Sequence, residues 1–398
     1  MTSNGALSTA RLGRMHNVLA SHAERGDVPG VVTLVSRRGE TPVEAIGRKA
    51  IGGIDPMRRD TIFRIASMTK PVTAAAAMIL VEECQLRLDE PVDRLLPELA
   101  DRKVLRRLDG PLDDTVPAKR PITMRDLLTL RMGFGFVMAP GETPIQRAAS
   151  ALQVMPGPPQ PQTPPAPDEW MRRVATLPLI HQPGEQWMDP TGFSVLGVLL
   201  ARAAGQPLET FLWERIFEPL GMQDTGFSVP AAKLDRLAHG YAVNPDTGAL
   251  EPYDGVGDSQ WRRPPAFPDA EGGLVSTIDD YLAFGQMMRN QGKHGNERIL
   301  SRPSVALMTT DQITPEQKAG SEFFLEDNRG WGFGISIITR RADVASGPGR
   351  FGWDGGFGTS WYADPQEDLT AILMTQVLGV PSRIDLDFWT SVYQAIDD

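Results

Sequence analysis

The apolar positions change their spacing three times along the chain. Leu12, Met15, Val18 and Leu19 recur at helical intervals and predict an amphipathic helix over 8–26. Gly30-Val31-Val32-Thr33-Leu34-Val35-Ser36 reads as a strand, Arg38-Gly39-Glu40 as a turn and Val43–Ile46 as the returning strand. Thr61–Ile65 is a further short strand that runs directly into a helix over Ser67–Glu83. The middle of that helix, Ala74 to Leu80, is apolar all round, which predicts a central, buried helix. From 86 to 240 the pattern is helical with long loops, with helices expected over Thr123–Leu130, Asp168–Leu177, Ser194–Ala204 and Pro207–Ile216. After 270 a helix over Thr277–Asn290 gives way to strands over Gly332–Thr339, Gly349–Trp353, Thr359–Ala363 and Leu369–Gln376, and Asp385–Ile396 closes as a helix. Strands at both ends and helices between them predict an α+β fold, an α/β sandwich. One antiparallel sheet is built from both termini (1–70 and 270–398) and flanked by helices, and a mainly helical domain (71–269) is inserted into it.

Composition narrows the chemistry. With 40 Lys and Arg against 50 Asp and Glu in 398 residues, the net charge is −10. No segment carries a dense basic run, so a nucleic-acid groove is not expected. The single cysteine, Cys84, excludes an internal disulfide framework, and none of the five histidines is paired at metal-ligand spacing. No metal and no organic cofactor are therefore expected. Met1–Asn17 is polar and lacks an apolar core, so it does not read as a secretory signal. The longest apolar-biased run, Val72–Val81, is about half the ~20 residues of a membrane span. A cytoplasmic protein without a membrane partner is the expectation. Seven prolines fall within 156–167, a segment biased to extended geometry; it is either a surface excursion or a wall of the active-site cleft.

The residues with the most specific chemistry are Ser67-Met68-Thr69-Lys70. A serine at a strand-to-helix junction stands three residues before a lysine, and positions i and i+3 share a helix face. The helix N-terminus adds positive potential. A buried lysine beside other cations can lose its proton and serve as a base, so the pair can make an activated nucleophile without histidine. S-x-x-K is the nucleophile motif of penicillin-binding proteins and class A β-lactamases.

Around this motif the chain resembles the serine β-lactamase and penicillin-binding-protein superfamily, above all its class C-like esterases, the family VIII carboxylesterases. The resemblance rests on Phe63 to Lys70, Ile122-Thr123-Met124-Arg125-Asp126-Leu127-Leu128-Thr129, Gln182-Pro183-Gly184-Glu185-Gln186-Trp187, Phe217-Glu218-Pro219-Leu220-Gly221-Met222, Glu271-Gly272-Gly273-Leu274-Val275-Ser276-Thr277 and Gly352-Trp353-Asp354-Gly355-Gly356, in the family's order. It implies that Ser67 is the acylated nucleophile, that Lys70 is its general base, and that the backbone N–H groups of Ser67 and Gly356 form the oxyanion hole. Trp353-Asp354-Gly355 takes the place of the family's K-T-G motif. The cation that binds a substrate carboxylate is thereby lost, and an uncharged ester becomes the expected small-molecule substrate.

The sequence also departs from the family where a tyrosine is usual after the P-G-x-x-W segment. Trp187-Met188-Asp189-Pro190 puts Asp189 there. Three explanations stand side by side: Asp189 is the base or proton relay; the chain is a natural or engineered variant with altered hydrolysis; or the register is shifted by one, which puts Met188 or Pro190 in the slot. Asp189 can also be a loop acid without a part in the chemistry. Trp213 is a second unusual position, where the family commonly has a polar residue. Phe134, Phe136, Trp187 and Phe193 are candidates for an apolar acyl pocket or for ordinary core. His181 reads as a loop residue and Cys84 as a buried bystander. The expected activity is a serine carboxylesterase working through an acyl-serine. The alternatives are an amide or β-lactam hydrolase or acyltransferase of the same superfamily, and a non-catalytic binding protein that has kept the cleft. Oligomeric state is not legible.

Overall fold

The computed structural model describes residues 6–137, 141–345, 347–379 and 383–398; the first five residues of the polar N-terminal stretch lie outside them. Its centre is a seven-stranded antiparallel sheet of β1 (Gly30–Arg37), β2 (Val43–Gly47), β3 (Arg329–Trp331), β4 (Ser336–Ile338), β5 (Phe351–Gly355), β6 (Thr359–Asp364) and β7 (Leu369–Met374). The spatial order is β3-β4-β5-β6-β7-β1-β2, so the N-terminal hairpin joins the C-terminal meander along β1 and β7, with Val32 opposite Met374 and Arg37 opposite Leu369. This is the expected sheet from both termini. The single strand expected over 332–339 is instead a turn followed by β4, which pairs back on β3 as a hairpin. A side chain at Gly332 would lie 1.9 Å from the Met308 carbonyl oxygen, and Gly334 takes φ 67°, a conformation that favours glycine.

All eight residues of β1 are buried, because both faces of the sheet are covered. On one face Val31, Val35, Ala371 and Leu373 pack with Met15 and Leu19 of α1 (Thr9–Arg25) and with Phe388 and Val392 of the C-terminal helix Arg383–Gln394. On the other face Val32, Leu34, Trp361 and Ile372 pack with α2 (Thr69–Glu82) and with Tyr281 and Phe284 of the helix Ile278–Arg289. The apolar segment Ala74–Leu80 is buried along its whole length, as its all-round pattern predicts.

The same apolar core continues into 71–269 through Leu127, Leu199, Phe211 and Phe217. That segment is not wholly helical: Gly240–Val243 and Leu250–Asp254 form a small sheet with Val377–Leu378. The helix expected over 207–216 is divided into Leu208–Leu212 and a π turn, Trp213–Phe217, and Trp213 packs partly buried against the core. The helix Met124–Leu128 starts at a capping box, in which Thr123 Oγ1 accepts from the Asp126 amide and the Asp126 carboxylate accepts from the Thr123 amide. A second capping box at Thr143 starts Pro144–Ala151, which the apolar pattern did not reveal. No helix among the described residues is long and apolar enough to cross a membrane.

Candidate active site

The strand Phe63–Arg64 pairs with Val275–Ser276 and delivers the chain to Ala66, which has φ 42°. A non-glycine residue in this left-handed region costs on the order of 1–3 kcal/mol, and the surroundings hold it there. Thr359 Oγ1 donates to the Ile65 carbonyl at 3.2 Å, and Tyr281 Oη to that of Met68 at 2.7 Å. A side chain at Gly355 would come within 2.2 Å of the Ile65 oxygen, so glycine is what lets the end of β5 approach this turn. Ser67 follows in a single 3-10 turn ahead of α2, half-buried, with Lys70 fully buried beneath it.

Lys70 Nζ donates to Ser67 Oγ at 2.7 Å and to the Glu271 carbonyl at 3.3 Å. It is also 3.2 Å from Asp189 Oδ1 and 3.4 Å from Glu271 Oε2. Asp189 Oδ1 has no aligned hydrogen bond, so its contact with Lys70 is an ion pair by proximity. The carboxylate at the lysine belongs to Asp189, while Met188 and Pro190 face the two cavities on either side. The one-residue shift of register is thereby removed.

Two loops carry these acids to Lys70. The 269–274 loop is tied to α2 by Thr73 Oγ1 donating to the Ala270 carbonyl at 2.9 Å and by the Leu274 amide donating to Thr69 Oγ1 at 3.2 Å. Asp189 is held by the Met188 amide on the Leu130 carbonyl (2.7 Å) and by its own carbonyl, which accepts from the Phe136 amide (2.5 Å). Glu271 was not among the site residues anticipated from the sequence. The only signal was an acid within the Glu271-Gly272-Gly273 turn.

Burial acts against every charge in this cluster. For Lys70 it favours the neutral amine, but Asp189 and Glu271 outweigh it and hold the ammonium above the ordinary lysine range. Burial pushes the Asp189 carboxyl up despite Lys70. Glu271 is pushed up to about 8 by burial, with Lys70 opposing and the neighbouring Asp269 and Asp189 adding to the rise. Asp269, also raised by burial, accepts from Ser194 Oγ at 2.8 Å and from the Glu271 amide at 3.1 Å.

Two cavities adjoin the cluster. The larger, about 340 Å³, is lined by Glu271, Asp269, Ser194 and Pro190, with Pro156–Pro164 as its opposite wall. The proline-rich segment runs largely at the surface and lines this cavity. The smaller, about 170 Å³, is lined by Asp189, Phe136, Trp187, Met188, Phe324 and His181. Neither lining includes a lysine or an arginine.

The sequence profile of the Beta-lactamase family matches residues 15–392. The chain belongs to that family of serine hydrolases. It is 41% identical over 365 residues to Protein Rv1367c of Mycobacterium tuberculosis, covering 89% of this chain and 87% of that one. It is 31% identical over 392 residues to the esterase EstB of Burkholderia gladioli, covering 92% and 90%. Among solved structures it resembles EstCE1, described as a hydrolase with promiscuous acyltransferase activity, with a TM-score of 0.79 and 26% identity over 96% of this chain and 98% of that one.

The remaining residues singled out in the sequence separate by sheet face. Trp353 lies on the α2 side, edge-on to Trp331 at 4.6 Å, and Trp331 meets Trp187 at 5.4 Å. Trp187 in turn packs on Phe324 at 5.8 Å, so an aromatic row runs from β5 to the smaller cavity. Asp354, expected beside the substrate, has the opposite orientation because neighbours in a strand alternate faces. Its carboxylate accepts from Ser360 Oγ (2.6 Å) and Tyr362 Oη (2.8 Å), beneath the C-terminal helix and away from Ser67. Gly356 is exposed where β5 ends, one residue past the contact of Gly355 with Ile65. Phe134 and Phe193 are core residues, whereas Phe136 lines the smaller cavity. Cys84 is exposed rather than buried, because the helix has ended and the residue turns outward with φ 59°.

Proposed function

We propose that the chain is a serine carboxylesterase that cleaves small uncharged esters through an acyl-Ser67 intermediate. The observation that carries this reading is the 2.7 Å hydrogen bond between Lys70 and Ser67, beside Asp189 and Glu271, which line two cavities whose linings contain no lysine or arginine. A substrate carboxylate would find no cation there, which disfavours penicillins and cephalosporins. The larger cavity is near the low end of the roughly 300–1,000 Å³ typical of ligand pockets, which suits a small substrate.

In this mechanism Ser67 Oγ attacks the ester carbonyl. Lys70, kept as an ammonium by the Asp189 carboxylate beside it, cannot simply accept the serine proton. It passes one of its own protons to Asp189 as it takes the one from Ser67, so the base of the pair is Asp189 acting through Lys70. The Ser67 and Gly356 amides stabilise the developing oxyanion, a contribution of about 10²–10³-fold for one such donor. Trp353, Trp187 and Phe136 supply the apolar surface for the acyl group. Transfer of the acyl group to an alcohol instead of water is a second outcome of the same intermediate, and the activity named for EstCE1 favours testing it.

The test is hydrolysis of p-nitrophenyl butyrate by the wild type and Ser67→Ala, with mass spectrometry of the protein during turnover. The reading predicts a butyryl adduct on Ser67 and loss of activity in the variant. Equal rates in the two proteins would sink it.

A further inference from the structure

Glu271 has no part in the steps above, yet its placement suits proton transfer. Its carboxyl is 3.4 Å from Lys70 Nζ, which is 2.7 Å from Ser67 Oγ. It lines the larger cavity, whereas Asp189 lines the smaller one, so Lys70 stands between two carboxyls that face different spaces. The loop that bears Glu271 is fastened to α2 at Thr69 and Thr73, one turn apart on the helix of the nucleophile pair. The charged groups around Glu271 are Lys70 from α2, Asp189 from the segment before the helix Thr191–Ala204, and Asp269 from its own loop. The proline-rich wall across the cavity presents Gln160 and Thr163 and no charge. One buried ammonium cannot offset three buried carboxyls, so this cluster retains a proton on a carboxyl.

Resting on the esterase reading, we propose that Glu271 is the general acid that protonates the leaving alcohol, so that Asp189 and Glu271 divide base and acid work across Lys70. In acylation the bond from Ser67 Oγ to the carbonyl carbon forms, and the Ser67 proton reaches Asp189 through Lys70. The bond from that carbon to the alkoxy oxygen then breaks, and the Glu271 proton goes to that oxygen, releasing an alcohol and leaving Glu271 ionised. In deacylation water attacks the acyl carbon and gives its proton to Glu271. Ser67 Oγ departs and recovers its proton from Asp189 through Lys70. The sum is ester plus water to acid plus alcohol, with every group restored. Environments that separate the behaviour of two neighbouring carboxyls are how acid and base roles are divided at one pH.

The leaving group supplies the test. An alkyl alkoxide needs a proton as it departs, whereas p-nitrophenolate does not. Steady-state kcat/KM, which reports acylation, is measured for an ethyl ester and a p-nitrophenyl ester of the same acid, with the wild type, Glu271→Gln and Glu271→Asp. Loss of a general acid is expected to lower kcat/KM for the ethyl ester about 100-fold in Glu271→Gln. The p-nitrophenyl ester should lose at least about 10-fold less than the ethyl ester, because its leaving group needs no proton, and circular dichroism reports that the fold is intact. Glu271→Asp, which retains a proton to give, should recover part of the ethyl-ester rate. In the wild type the ethyl-ester rate should fall as pH climbs through about 8, where Glu271 ionises, and the Gln variant should lose that limb. Equal losses on both esters, or no loss on the ethyl ester, overturn the acid role. Activity of Ser67→Ala on the p-nitrophenyl ester equal to that of the wild type would overturn the esterase reading itself, whatever the Gln variant does.

Discussion

Two fully buried cations lie six residues apart in this chain, and their surroundings differ in one respect. Arg64 donates to the Ala238 carbonyl (2.6 Å), to Ser259 Oγ (3.3 Å) and to the Asp254 carboxylate, with its guanidinium 4.9 Å from the centre of the Trp261 ring. Asp254 is further satisfied by Ser259 Oγ at 2.7 Å and the Gln260 amide at 2.8 Å. One cation meets one acid, and both terminal guanidinium nitrogens are hydrogen-bonded, while Arg64 Nε has no partner. Lys70 instead meets Asp189 and Glu271, with Asp269 behind them, and Asp189 Oδ1 lacks an aligned donor. Matched charge builds a strut that fixes the strand before Ser67. An excess of acid leaves a proton that can move. Buried ion pairs are not in themselves signs of function; the ratio of acids to cations distinguishes these two.

The contrast is broken most strongly at Lys70. Lys70→Met should lower ester kcat/KM by about 10³–10⁴-fold, as loss of a member of a nucleophile unit does, measured on a p-nitrophenyl ester. The corresponding break at the strut is structural: Asp254→Ala leaves Arg64 buried and unpaired and should cost about 3–5 kcal/mol in urea unfolding. Asp189→Asn keeps the shape and removes the proton acceptor, so kcat/KM should fall about 100-fold while the unfolding midpoint changes little. An unchanged rate would make Asp189 a structural acid like Asp254.

The smallest effect is on the pH dependence of stability. Glu271 has its folded value raised to about 8, so the native state binds more protons than the unfolded chain. Its contribution to stability is present below the unfolded value of about 4.3 and is lost as pH rises through about 8. Glu271→Gln removes that loss. Its Tm should therefore exceed that of the wild type by a few degrees more at pH 8.5 than at pH 5, as followed by circular dichroism.

Much of the molecule was legible because much of it is encoded locally. The helical spacing of Leu12, Met15 and Leu19, the apolar run of β1 and the all-round apolar middle of α2 each report an element that one stretch of chain can specify. Ser67 and Lys70 were found for the same reason, since one helical turn brings them together. Elsewhere the local signal ran out. The 332–339 segment reads as one strand, whereas the close contact of Gly332 with Met308 and the left-handed Gly334 make its first half a turn. Asp354 was placed beside the substrate by its neighbours in sequence, and strand alternation sends it to the other face. Asp189 was noticed only as a departure from an expected tyrosine. Glu271 was passed over in a glycine-rich turn.

The sequence by itself determined the order and type of most of the main elements, the proximity of Ser67 and Lys70 on one helical turn, and, with a single cysteine, that no internal disulfide forms. Only the tertiary structure decided what surrounds the lysine. Glu271 is 201 positions from Lys70 along the chain, and Asp189 arrives on a separate loop. Periodicity reports which face of an element is apolar, because that depends on neighbours a few residues away. The proton balance of a buried cluster depends on which distant groups share its volume after water has been excluded, and that is set by packing between elements rather than by any one of them.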